Sequence, residues 1–217
     1  MTATVSPRAD HLAIASRIPD GARVLDVGCG SGDLLALLQS MRAVTARGLE
    51  LSSTEAGEAV ARGLSVIQGD ADRDLAVFPD DGFDVAILSK AIQEMRRPAQ
   101  ILTELARIAP DVIVSFRNYG RWTRRLALMS RGRMPGRRAW YDEHALHPCT
   151  SADMVDLARH LGLRVVAVAP VKRGRVGSFR TRGYNRLNWS ADEVILHLAR
   201  ADDTASIARM AKPDATA

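Results

Sequence analysis

Three glycines and three carboxylates hold the chemistry this sequence offers. The string Asp26-Val-Gly-Cys-Gly-Ser-Gly32 ends a short apolar run, Glu50 follows the turn by about 20 residues, and Asp70 ends a third apolar run. Glycines at 28, 30 and 32 let a backbone turn approach a ligand closely and leave free N–H groups at the start of a following helix. Their spacing departs from the dinucleotide GxGxxG, and Asp33 in the first helical turn would repel a pyrophosphate. A nucleoside without phosphate, carrying a positive sulfonium, suits such a turn. Glu50 is placed to accept two hydrogen bonds from a ribose diol, and Asp70 to accept from an adenine amino group. Alone, a glycine turn is a weak signal, and either carboxylate could be a helix cap or a surface group. Their conjunction at three successive strand ends marks a nucleoside site of Asp26, Gly28, Cys29, Gly30, Gly32, Glu50, Leu51, Asp70, Ala71 and, after the next strand, Ser89.

The elements that must hold these groups follow from pattern. Arg23-Val-Leu-Asp-Val27 reads as a strand running into the glycines, and a helix begins at Asp33. Residues 45–51 form a second strand; Ser52-Ser-Thr-Glu55 is a capping box opening a helix that closes at Gly63; residues 64–68 form a third strand. The continuous apolar run 83–89, after the Asp80-Asp81-Gly82 turn, suits a strand buried on both faces. A helix over 98–108 precedes a strand at 112–116, and Thr150-Ser-Ala-Asp153 caps a helix that turns Met154, Leu157, Ala158 and Leu161 inward. Residues 164–171 and 193–198 supply the last strands. At the front, Ser6-Pro7 is expected to cap a helix with Leu12, Ile14, Ala15 and Ile18 on its apolar face. Strands alternating with helices indicate one α/β domain, a largely parallel sheet with helices on both faces.

With these residues in view, Val24-Leu-Asp-Val-Gly-Cys-Gly-Ser-Gly32 resembles motif I of class I S-adenosylmethionine-dependent methyltransferases, with Glu50 and Asp70 at the later acidic positions. A more specific likeness rests on Val66-Ile-Gln-Gly-Asp70, Phe83-Asp-Val-Ala-Ile-Leu-Ser89, Asn118-Tyr-Gly-Arg-Trp122, Arg131-Gly-Arg-Met-Pro135 and His147-Pro-Cys-Thr150. Together these are similar to the methionine biosynthesis protein MetW family across residues 24–198. Arg117, where a proline is usual, and Lys90-Ala-Ile-Gln93, where Gln-Thr-Leu-Gln is usual, depart from the family pattern. The resemblance implies a Rossmann-like fold with a seven-stranded, mostly parallel sheet in the order 3-2-1-4-5-7-6. It also implies S-adenosylmethionine or S-adenosylhomocysteine as ligand and a MetX-type homoserine O-acyltransferase, acetyl or succinyl, as the partner that the protein activates.

The sequence itself does not commit to methyl transfer. The segment after the fourth strand lacks both the Asn/Asp-Pro-Pro-Tyr string of nucleic-acid amino methyltransferases and the Pro-Cys nucleophile of cytosine C5 enzymes. Glu94, Tyr141 and His147 are candidate bases, though such residues more often pack or bond structurally. Two readings stand: an activating partner protein and a small-molecule methyltransferase.

Composition narrows the rest. The domain is expected to span residues 1–200, with a basic insertion at about 117–149 and a frayed tail at 201–217. Eight arginines and no acid lie between Val112 and Tyr141, and six basic residues, again without an acid, between Lys172 and Ser190; removing those fourteen from the 30 basic residues leaves 16 against 25 acids. The arginines 121, 124, 125 and 131 read as facing an acidic protein rather than a duplex, because few aromatics interleave with them. Apolar runs are too short to span a bilayer, the first sixteen residues lack the core of an export signal, and Cys29 and Cys149 make neither a CxxC pair nor a metal-ligand spacing. A cytoplasmic protein without a metal is expected.

Overall fold

A β-strand that is apolar toward both helical layers must lie at the centre of a sheet, and β1 (Arg23–Val27) does, with Val24, Leu25 and Val27 fully buried. The computed structural model describes residues 7–132, 147–182 and 184–201. β1 pairs in parallel with β2 (Thr45–Glu50) and β4 (Val85–Ser89); β3 (Val66–Gln68) extends one side and β5 (Asp111–Arg117) the other. β6 (Leu163–Lys172) does not join β5 directly. β8 (Glu193–Arg200) inserts between them, antiparallel to both, and the two-residue β7 (Arg175–Val176) edges β6. The order is β3-β2-β1-β4-β5-β8-β6-β7, the expected arrangement with one short strand added after the Arg173-Gly174 turn.

Alternation along the strands sorts the core into two layers. Leu25, Ala86, Leu88, Val112, Val114 and Leu196 face α5 (Pro98–Ile108) and α7 (Ser151–His160). Val24, Val85, Ile87, Ile113 and Ile195 face α1 (Ala9–Ala15) and α2 (Asp33–Arg42). Asp26 shares the parity of Val24, so its carboxyl is directed to the α1 and α2 side. α3 (Ser53–Ala61) and the short α4 (Ala71–Asp74) follow β2 and β3, while α6 (Trp122–Arg131) and α8 (Tyr184–Ser190) were not anticipated.

Two local readings change. α1 begins after Arg8, with Pro7 outside it and Ser6 beyond the described residues, and Leu12 is 39% exposed. A period of 3.6 puts His11, Ile14, Ala15 and Ile18 on one stripe, and all four are buried; counting Leu12 into that face broke the period. The Thr150 box closes in both directions, whereas at Ser52 only the hydroxyl half forms: the Ser52 N–H goes to Glu50 Oε1 instead of Glu55. Residues 133–146 of the basic insertion and residues 202–217 of the expected tail lie outside the described residues.

Beyond β5, one polar side chain ties three segments together. Asn118 is fully buried; its Nδ2 donates to the carbonyls of Asn188 (2.9 Å) and Ala191 (3.0 Å), and its Oδ1 accepts from the N–H groups of Gly120 (3.0 Å) and Ser151 (3.1 Å). Asn118→Ala orphans two buried donors and two acceptors, and should cost roughly 3 kcal/mol of unfolding free energy, more than any single net hydrogen bond. Urea denaturation of the two proteins checks this; a loss below about 1 kcal/mol would contradict the role.

Candidate functional site

The glycine turn follows β1 because its backbone occupies the left-handed region at Gly28, Gly30 and Gly32, with φ of 70°, 55° and 82°. The Gly28 N–H donates to the Leu49 carbonyl at 2.7 Å, and the Gly30 N–H to Glu50 Oε2 at 2.8 Å. The other Glu50 oxygen accepts from the Ser52 N–H at 2.8 Å. Glu50 is buried, and the two bonds fix its carboxylate while leaving one lone pair on each oxygen. Glu50 thereby ties the turn to the end of β2, a structural role that the sequence did not suggest. Gly32 has a different task. As N-cap of α2 it packs against α3 and Leu64, whose Cδ1 lies 2.3 Å from where a Cβ would stand, and it does not line the cavity.

Gly28, Gly30, Glu50, Leu51, Asp70, Ala71 and Ser89 surround one cavity of about 880 Å³, within the range of small-ligand sites. Asp26 and Cys29 instead line an adjoining pocket of about 240 Å³ under the turn, shared with Arg8, His11 and Asp33 and meeting the larger cavity at Gly28, Gly30, Ser89 and Lys90. Asp70 caps α4, its Oδ1 accepting from the Asp72 N–H at 3.0 Å. Glu94 and His147 stand on the rim of the large cavity, both exposed; Tyr141 lies outside the described residues. Nothing local in the sequence placed Glu55, Asp72 or Arg96 on this wall, because α3, α4 and the segment after β4 meet only through the fold.

Charge is distributed unevenly here. Five carboxylates line the large cavity (Glu50, Glu55, Asp70, Asp72 and Glu94) against Lys90 and Arg96. The Lys90 ammonium is already engaged, 2.9 Å from Asp10 and 2.8 Å from Glu193. Lys90 sits at φ 61° with its N–H on the Ser115 carbonyl and hydroxyl, a constraint that its sequence departure hinted at without explaining. Burial works to raise the pKa of Asp10, but the hydrogen bonds from Arg8 and Lys90 prevail and hold it well below the usual carboxylate range. Asp26 goes the other way: 1% exposed, its Oδ1 without a hydrogen-bond partner, it is pushed up to about 8 by burial and then by the charge of Glu50. Burial, with Asp26 and Glu50 adding to it, pushes the Cys29 thiol up to about 12, and burial pushes Cys149 to about 11, so neither is a thiolate nucleophile at neutral pH. Among the described residues no group of three His, Cys, Asp or Glu side chains could hold a metal, and no helix is long and apolar enough to cross a membrane.

Gln93 was also missed. It is 4% exposed; its amide brackets the Arg117 backbone, donating to the carbonyl and accepting from the N–H at 3.0 Å each, while its own carbonyl takes the His147 N–H at 2.6 Å. A polar residue buried by partners 24 and 54 positions away leaves no local signal.

Residues 8–198 match the family described as methionine biosynthesis protein MetW. The chain belongs to the MetW family. This MetW chain is 31% identical over 134 residues to the bifunctional methionine biosynthesis protein MetXA/MetW of Rhodopirellula baltica, covering 58% of the chain and 22% of that protein. It is 37% identical over 103 residues to the fatty-acid O-methyltransferase of Mycolicibacterium smegmatis, covering 45% of the chain and 37% of that enzyme. The chain thus spans well under half the length of these curated relatives. Among solved structures, a SAM-dependent methyltransferase from Thermotoga maritima superposes with a TM-score of 0.66 at 19% identity, over 88% of this chain and 87% of that one. The [4+2]-cyclase SpnF superposes at 0.63 and 18% identity, over 88% and 79%. These likenesses show the Rossmann-like methyltransferase fold; that a cyclase shares it keeps fold apart from reaction.

Asp26 gives a pH test of the site. Between the unfolded carboxyl value near 4 and the folded value of about 8, the folded MetW chain holds a proton that the unfolded chain has lost, so this group lowers stability as pH rises. Asp26→Asn removes that slope. The melting temperature of the variant should gain on wild type steadily from pH 5 to pH 8; a constant difference across the range would show Asp26 to be ionised in the fold.

Proposed function

We propose that this MetW-family chain binds S-adenosylmethionine or S-adenosylhomocysteine in the acidic cavity and, in the cytoplasm, associates with and activates a MetX-type homoserine O-acyltransferase. The observation that carries the ligand half is Glu50: a buried carboxylate held by two backbone N–H groups, with lone pairs left on a cavity bounded by Gly28 and Gly30. The fit is chemical as well. A wall of five carboxylates disfavours a phosphate and suits a nucleoside bearing a sulfonium. Glu50 would take the ribose hydroxyls, Asp70 with Ala71 would flank the base, and Gly28, Gly30, Leu51 and Ser89 would contact the remainder. Bound S-adenosylmethionine supplies an activated methyl group.

Support for the partner half comes from the Rhodopirellula baltica relative, in which MetXA and MetW are one protein. Covalent fusion raises the effective concentration of two modules that work in contact. A second reading, methyl transfer to a small molecule, is favoured by Glu94 and His147 on one rim and by the likeness to a fatty-acid O-methyltransferase.

Two measurements test these readings. Glu50→Gln keeps the size of the side chain but turns an amide toward a backbone donor and weakens diol acceptance, so calorimetric titration should show S-adenosylhomocysteine binding at least about tenfold weaker than wild type. Equal affinities, or no binding to wild type, would reject the ligand assignment. Adding the wild-type chain to homoserine O-acyltransferase from the same organism should raise acyl-homoserine formation well above the acyltransferase alone. Unchanged rates together with methyl transfer to a small acceptor would favour the second reading.

A further inference from the structure

α6 contradicts the ordinary behaviour of an amphipathic helix. None of its ten residues is buried, yet Trp122, Leu126 and Met129 fall at the i, i+4, i+7 spacing of one stripe and are 54%, 54% and 82% exposed. A ten-residue helix is marginal in water without a face to bury. Beside it lies α8, whose Trp189 is 55% exposed and carries the Arg125 guanidinium stacked 4.4 Å from its ring centre. Two Trp and a stacked Arg are residue types enriched in protein-binding hot spots, Met is enriched at interfaces generally, and Leu126 continues the apolar stripe between them.

The arginines around this face are not free to follow phosphates. Arg121 is paired with Asp192, Arg124 lies over the Tyr119 ring at 4.6 Å, and Arg125 donates to the Gly120 carbonyl at 2.6 Å. Of the four arginines 121, 124, 125 and 131 expected to face a partner, three also hold the face in shape, and Arg131 is exposed on α6 with Arg117 and Arg186 exposed on neighbouring elements. The result is an apolar, aromatic centre with a cationic edge, formed by two segments that contain no acid. A second copy of this chain would bring the same cations against themselves, which disfavours self-association through it.

We infer that the α6–α8 face is the docking surface for a folded protein partner that presents an apolar pocket edged by carboxylates; on the reading above, which this inference rests on, that partner is the acyltransferase. The face sits next to the ligand cavity in the hydrogen-bond network. Gln93 of the cavity segment brackets Arg117, and Asn118 follows at once with its bonds to Gly120 before α6 and to Asn188 and Ala191 at the end of α8.

The test is the double variant Leu126→Asp, Met129→Asp, which alters two exposed positions. Its melting temperature and S-adenosylhomocysteine affinity should equal wild type, while its affinity for the acyltransferase, measured by co-elution and titration, should fall roughly thirtyfold or more, as for loss of a hot-spot residue. Wild type and variant co-eluting equally well with the acyltransferase would overturn the surface and leave the proposed function standing. Absence of co-elution by wild type itself would remove both. If the variant kept its acyltransferase affinity but lost wild-type self-association, retention on phosphatidylglycerol vesicles or binding of single-stranded RNA, the face would belong to that other contact and the inference would fail.

Discussion

The carboxylate of Glu50 is the joint on which this molecule's site depends. One oxygen takes the N–H of Gly30 in the turn after β1; the other takes the N–H of Ser52 at the entrance to α3. Parallel strands share no short hairpin, so nothing in the ladder alone fixes how the loops at their carboxyl ends sit relative to one another. A buried, charge-assisted acceptor bridging two such loops does fix them. The same side chain that sets the turn also presents its unused lone pairs to the cavity, which makes the shape of the site and its polarity one property rather than two.

Around that joint the charges are arranged by neighbourhood. Asp10 stays ionised because Arg8 and Lys90 donate to it, whereas Asp26 is buried, lacks a partner on Oδ1 and feels the charge of Glu50. Asp10 on α1 and Asp26 on β1 therefore titrate on opposite sides of their ordinary value. Lys90 reaches from the end of β4 to α1 and β8 at once, so the leading helix is bound to the sheet by ions as well as by Ile14 and Ile18. This is a less separable design than the sequence suggests, where Lys90 is only a departure from a pattern.

What could be read from the residues was whatever is decided locally. α5 was legible to its ends because proline opens it and its apolar stripe is unbroken; the capping box at Thr150 closed as its letters implied. β4 announced itself as a run buried on both faces. That Gly28, Gly30, Glu50 and Asp70 would come together at one cavity was legible because strand ends gather in a parallel sheet. What was not legible depended on distant company. Gln93 and Asn118 look like loop residues until their partners arrive, and Gly32 looks like part of the ligand contact until Leu64 is seen against it. α6 was absorbed into a basic stretch because arginines concealed the Trp122, Leu126, Met129 period, and none of that helix's residues is buried.

The insertion of β8 between β5 and β6 has a bearing on how the chain is made. During vectorial synthesis β5 is complete by residue 117 and β6 by residue 172, but the strand that joins them does not end until residue 200. Until then the newborn polypeptide carries two open strand edges, including the fully buried run Val112–Val114, that have no partner to pair with. Closure of the sheet must therefore wait until β8 has been made, and the interval before it is when this domain is most exposed to sticking to a neighbour of its own kind.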